Sequence, residues 1–174
     1  MATYVLVHGG GHGGWCYQRV ARRLRAEGHE VHAPSLTGLG DRAHLLGPHV
    51  DLHLHARDVA ALIFYEDLRD VILVGHSYGG MVITGAADLA WMAERLAPHP
   101  WQCFEQPLDL QHEDALWAIP QYHIVCTSTL ATRDPELMAT AKAEGRLWAI
   151  DTGHDLMITE PEATTQALLD VAAA

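Results

Sequence analysis

A serine with glycine two residues to either side, Gly75-His76-Ser77-Tyr78-Gly79, stands where the apolar run DVILVG (70–75) gives way to a helical pattern from Tyr78. That setting is the one a nucleophile elbow requires. A serine on so tight a strand-to-helix turn sits in strained backbone, and glycine at the two flanking positions lets the chain segments pass. The helix that follows aims its first amides at the serine, which favours negative charge developing there. The chemistry of such a serine is attack on a carbonyl carbon to give an acyl-enzyme. A glycine-flanked serine in an ordinary turn is the plain alternative, and the strand before and helix after argue against it.

A second glycine-rich turn, residues 8–14 (HGGGHGG), follows the first apolar run. Glycines between strand and helix also hold phosphates, and residues 9–14 fit G-x-G-x-x-G as written. The ribose-binding acid, expected about 20 residues on, would fall near Glu30, ahead of the second strand instead of at its end. The spacing does not fit G-x-x-x-x-G-K-[ST] either. An oxyanion loop fits better, the Gly10 amide joining that of Tyr78 to hold a tetrahedral oxyanion.

A general base is then expected late in the chain. His154, in Gly153-His154-Asp155 just after the run 147–150, has that position, at the carboxyl edge of a parallel sheet where such folds bind ligands. The chain holds 13 histidines, so position and order single out His154, not residue type. The acid is left open. Asp134 precedes Pro135 and has the pattern of a helix N-cap, Asp151 lies three residues before His154, and Asp155 adjoins it. His44, His49, His53 and His55 form a further cluster, but no carboxylate or cysteine completes a metal site. They are expected to be solvated or satisfied in the core, and no metal is expected.

These residues need elements to hold them. Thr3 to His8 is expected as a buried strand, Trp15 to Glu27 as a helix with its arginines on one face, and His29 to Ala33 as a short strand. A helix over Asp51 to Asp67 has Asp51 as N-cap. Tyr122 to Thr127 and Leu147 to Ile150 are later strands; Pro135 to Glu144 and Pro161 to Val171 are helices opened by proline. Leu36 to Leu46 is a glycine-rich loop, with Arg42 either ordering it or facing solvent. Strands alternating with helices predict an α/β fold with a mostly parallel sheet flanked by helices, in one domain over 1–174.

Composition narrows the function. With 49% hydrophobic residues the chain can bury a core, and a net charge of −11 would repel a phosphate backbone, so nucleic acid is not an expected partner. No apolar run reaches the ~20 residues needed to cross a bilayer, so no membrane association is expected. Three cysteines without metal-like spacing, and no leader pattern at the N-terminus, suit a cytoplasmic protein.

Residues 5–16 (VLVHGGGHGGWC), 36–40 (LTGLG), 65–68 (YEDL), 71–83 (VILVGHSYGGMVI) and 152–157 (TGHDLM) together resemble the α/β-hydrolase superfamily. More narrowly, they resemble the small cofactor-independent esterases related to plant methyl-salicylate and methyl-jasmonate esterases and hydroxynitrile lyases, a group with a bacterial branch acting on esters and carbamates. The resemblance implies Ser77 as nucleophile, His154 as base, Gly10 and Tyr78 as oxyanion donors, and His12, Trp15 and Leu156 along the substrate pocket. It implies a carboxylesterase-type hydrolase of a small ester or carbamate, without cofactor, and allows a homodimer.

Two features depart from that group. Several of its members place the acid just after the strand matching 122–127, where this chain reads Ser128-Thr-Leu-Ala-Thr132 and has no carboxylate before Asp134. The group also has a further central strand and a mostly helical cap after the elbow helix. Here Tyr78 to Ala97 has the pattern of one helix, and no strand is expected before Pro120. Residues 89–119, with Trp91, Trp101 and Trp117, then read as a cap remnant, and a segment near Asp88-Leu89 that would carry the strand and the acid is expected to be missing. A hydroxynitrile lyase-like acid–base enzyme is the runner-up, disfavoured because Lys142 is the lone lysine and lies on an expected helix. A ligand-binding protein with an incomplete triad is the non-enzymatic alternative.

Overall fold

The TYVLV run becomes strand β1 (Thr3–Val7), and in chain order there follow α1 (Gln18–Ala26), β2 (Glu30–His32), α2 (Leu52–Tyr65), β3 (Val71–Gly75) and α3 (Tyr78–Met92). Beyond them lie β4 (His123–Cys126), α4 (Thr127–Leu130), α5 (Pro135–Ala143), β5 (Leu147–Ile150), α6 (Leu156–Thr159) and α7 (Pro161–Ala173). This computed structural model describes residues 1–92, 114–115 and 118–174. The segment 89–119 read as a cap remnant lies for the greater part outside the described residues, with Trp101 and Trp117. Two compact units divide the chain, Met1–Cys16 with His29–Ile119 and Tyr17–Gly28 with Pro120–Ala174.

In the first unit three parallel strands run in the order β2-β1-β3, with Thr3 opposite both Glu30 and Val71 and Val7 opposite Gly75. The central strand is buried on both faces, Tyr4 to Val7 having no exposed surface, as a parallel sheet demands. β3, the most apolar run in the sequence, is only half-buried; among the described residues it pairs along one edge, with β1. Val5, Val7, Leu36, Leu52, Val59, Leu68, Val82 and Ala86 form the core under α2 and α3. α2 starts where expected, the Leu54 amide donating to the Asp51 carboxylate at 2.7 Å, and such a cap contributes about 1 kcal/mol.

The second unit pairs β4 with β5 in parallel, His123 opposite Leu147 and Cys126 opposite Ile150. α1 lies along α7, joined to it by an Arg23–Glu162 ion pair. Val20, Ala21 and Leu24 are its buried residues, while Arg19, Arg22 and Arg25 are exposed, as the helical spacing predicts.

Several boundaries differ from expectation. The helix read from Trp15 opens as a 3-10 turn over Gly14–Tyr17, the Cys16 amide bonding back to Gly13 O at 3.1 Å, and becomes α-helical at Gln18. Thr127, read as strand, begins α4. The loop 36–46 contains a 3-10 helix over Gly40–Leu45. Arg42 orders that loop, its guanidinium donating to Ser35 O at 3.2 Å and standing 3.5 Å from the Asp58 carboxylate. Among the described residues no strand lies between Gly75 and His123 in sequence, and no helix is long and apolar enough to cross a membrane.

Candidate active site

Ser77 is exposed on the turn between β3 and α3, at φ +53°. A side chain in that left-handed region costs about 1–2 kcal/mol, so the turn is strained where the elbow reading requires it. The flanking glycines have a steric reason to be there. A Cβ on Gly75 would lie 2.5 Å from Gly79 O, and one on Gly79 would lie 2.5 Å from Val7 O and 2.8 Å from His8 O. Both obstacles are backbone, which cannot swing aside. The glycines therefore let the elbow close on itself and seat it on the end of β1.

The glycine-rich turn is packed against this elbow. A Cβ on Gly9 would stand 2.8 Å from His76 Nδ1 and 3.3 Å from Ser77 Cβ, and one on Gly10 would lie 4.0 Å from Tyr78 Cβ. The two residues read as oxyanion donors, Gly10 and Tyr78, thus lie next to each other. Tyr78 opens α3. His12 accompanies them, its Nδ1 3.1 Å from Gly10 O. Its ring lies 5.7 Å from Trp15 and 6.1 Å, edge-on, from His76. Trp15, 60% exposed, His12 and His76 form a row of rings that ends at the residue before Ser77.

His8 closes β1 with no exposed surface. Its Nδ1 lies 2.8 Å from Gly9 O, and its Nε2 accepts from the Leu36 amide at 3.1 Å. A carbonyl only accepts, so Nδ1 carries the proton and the ring is neutral. Burial lowers its pKa below the ordinary imidazole value of 6.5, outweighing the upward pull of the Gly9 hydrogen bond. His55 is likewise buried. Its Nε2 donates to Thr37 O and its Nδ1 accepts from the Tyr78 hydroxyl, both at 2.8 Å. The sequence placed His55 among solvated or core-satisfied histidines, and it is the latter. The signal for it was its register with Leu52, Ala56 and Val59 on the buried face of α2.

In the second unit, His154 is exposed in the loop between β5 and α6, and Leu156 opens α6. Of the carboxylates considered as the acid, Asp134 caps α5, its Oδ1 accepting from the Glu136 and Leu137 amides at 2.9 and 3.1 Å. Asp151 accepts from the Thr127 hydroxyl at 2.8 Å. Asp155 precedes α6. Glu30, the position a ribose-binding acid would take, is the first residue of β2 and accepts from the Thr3 hydroxyl at 3.2 Å.

Residues 4–99, more than half of the chain, match the model of a family described as the alpha/beta hydrolase family. A carbendazim hydrolyzing esterase from Nocardioides sp. is 59% identical over 98 residues, a match covering 56% of this chain and 38% of that protein. A pyrethroid hydrolase from Sphingobium wenxiniae is 38% identical over 98 residues, 55% of this chain and 31% of its own length. Methylesterase 18 of Arabidopsis thaliana is 38% identical over 89 residues, 49% of this chain and 33% of its own. The matched part of this chain thus spans about a third of each relative. Among solved structures, an extracellular alpha/beta-hydrolase from a Paenibacillus species superposes with a TM-score of 0.70 at 17% identity, over 98% of either chain. That likeness is one of fold.

Proposed function

This chain belongs to the alpha/beta hydrolase family, and on that premise we propose that it hydrolyses a small carboxylic ester or carbamate through Ser77. The observation that carries the reading is the exposed serine at φ +53° with the Gly9–Gly10 turn packed against it. Relatives named as esterases and hydrolases support it. In the proposed cycle His154 takes the Ser77 proton while Oγ attacks the substrate carbonyl carbon. The Gly10 and Tyr78 amides hold the oxyanion, a stabilisation worth about 3–4 kcal/mol per donor in comparable sites. Collapse of the tetrahedral intermediate expels the alcohol, which receives the proton from His154. Water, deprotonated by His154, then releases the acid and regenerates Ser77. The row of Trp15, His12 and His76 suits a hydrophobic or aromatic substrate group. A carboxylate partner for the base and a homodimer belong to the same proposal, with no residue assigned to the former.

The test is turnover of p-nitrophenyl acetate and covalent labelling by a fluorophosphonate, with Ser77→Ala alongside. Expected are turnover and labelling in the native chain and neither in Ser77→Ala. Turnover that survives the substitution, or a native chain inert to both reagents, refutes the reading.

A further inference from the structure

The two oxyanion donors come from separate segments, the loop at residue 10 and the first turn of α3. Local covalent geometry cannot set the distance between them, yet an oxyanion hole works only when both reach within about 3 Å of one oxygen. The β1–β3 ladder ties the two segments together as far as His76, whose amide donates to Val7 O at 3.0 Å, and the donors beyond it depend on further contacts.

The hydrogen bonds lead to one dipeptide. The Leu36 amide donates to His8 Nε2, and His8 Nδ1 donates to the carbonyl of Gly9, the residue before the first donor. The Thr37 carbonyl accepts from His55 Nε2, whose other nitrogen accepts from the hydroxyl of Tyr78, the second donor. The dipeptide is itself gripped from α2. Thr37 donates twice to Asp58, from its amide at 2.7 Å and from its hydroxyl at 3.0 Å, and the Asp58 side chain is only 14% exposed. His8 turns Nδ1 and His55 turns Nε2 to its carbonyl acceptor, so the two rings use opposite nitrogens as donors.

We propose that the Leu36–Thr37 dipeptide, clamped by Asp58, sets the spacing of the two oxyanion donors through His8 and His55, which makes His55 a positioning residue for the hydrolysis. The hydroxyl of Tyr78 is the handle by which its own backbone is held. This rests on the serine-esterase reading above, and the experiment separates the two.

Steady-state kinetics on p-nitrophenyl acetate are measured for the native chain, Tyr78→Phe, His55→Leu, the double variant and His55→Asn. The asparagine carbonyl takes the place of Nδ1 as acceptor. Tyr78→Phe and His55→Leu are each expected to lower kcat about 10- to 100-fold with KM within about twofold, the scale of a sub-ångström to ångström misplacement. The double variant should lose no more than the worse single one, and His55→Asn should recover most of the loss. Native kcat in either single variant, additive losses, or an asparagine no better than leucine overturns the proposal. ¹⁵N NMR of the imidazoles gives a readout independent of turnover: His55 protonated on Nε2, with its Nδ1 resonance moving in Tyr78→Phe. The reverse tautomer overturns the strut even in an active enzyme. A native chain that shows the expected tautomers but neither labels nor turns over refutes the esterase reading, and the kinetic role falls with it.

Discussion

Alanine at Gly79 and alanine at Gly80 should move stability in opposite directions, although the two are neighbours in the first turn of α3. At Gly79 the added methyl would lie 2.5 Å from Val7 O, where ordinary contact begins at 3.4 Å, and 2.8 Å from His8 O. Backbone must therefore yield by about 0.9 Å between the end of β1 and the elbow, both of them held in place. β1 is the central strand of its sheet, and the Gly79 amide itself donates to His76 O at 2.8 Å. The expected cost is about 3 kcal/mol, the upper part of the overpacking range, because neither obstacle is a side chain able to rotate. At Gly80 the methyl would meet nothing within 4 Å. Only the propensity term remains there, a gain of about 0.5–1 kcal/mol for alanine over glycine inside a helix. Urea unfolding, with the slope against denaturant unchanged between variants, reads both numbers. Two alanines that shift the midpoint in the same direction by similar amounts would refute the steric account of the elbow. Gly79→Ala should also slow turnover, since the shift falls between Ser77 and the Gly9–Gly10 turn.

Ser77→Gly should abolish turnover yet raise stability by about 1 kcal/mol, since glycine adopts φ +53° without the Cβ clash; a loss of stability in thermal unfolding would contradict the strain. Asp134→Ala should cost about 1 kcal/mol through loss of the α5 cap, whereas Asp134→Ser keeps both cap and turnover. Abolished turnover in a stable Asp134→Ser protein would instead make this carboxylate the catalytic acid. Acidification should destabilise the fold below about pH 6.5. Burial depresses the folded-state pKa of His8, and burial followed by Arg146 and Arg133 depresses that of His123. An unfolded chain therefore takes up protons there that the folded chain refuses, and stability falls by at most about 1.4 kcal/mol per pH unit for each ring. The loss continues until the folded-state pKa values are passed; urea midpoints that stay level or rise between pH 7 and 5.5 would contradict it.

Much of the site is legible in the sequence, for reasons that differ residue by residue. Gly75, Ser77 and Gly79 announce themselves because their constraint is local: a turn this tight admits few residue types, and the strand and helix on either side have distinct periods. Asp51 and Asp134 are legible as caps because a cap is defined by the few residues that follow it. The roles of His8 and His55 are not legible. A histidine at a strand end or on a buried helix face has the same pattern whether it fills space or carries a hydrogen-bond path. The half-burial of β3 is not legible either. Apolar content says that a strand can be buried, while the elements packed on its faces decide how far it is.

Near-neighbour chemistry is therefore settled along the chain: which strand-to-helix turn is tight, where the helices begin, and why glycine stands at 75 and 79. Folding alone determines the partners, because a hydrogen bond from Leu36 to His8 joins residues 28 apart and one from Tyr78 to His55 joins residues 23 apart. Separations of that length are closed by the path of the backbone through the sheet and α2, a property no short pattern of residue types encodes.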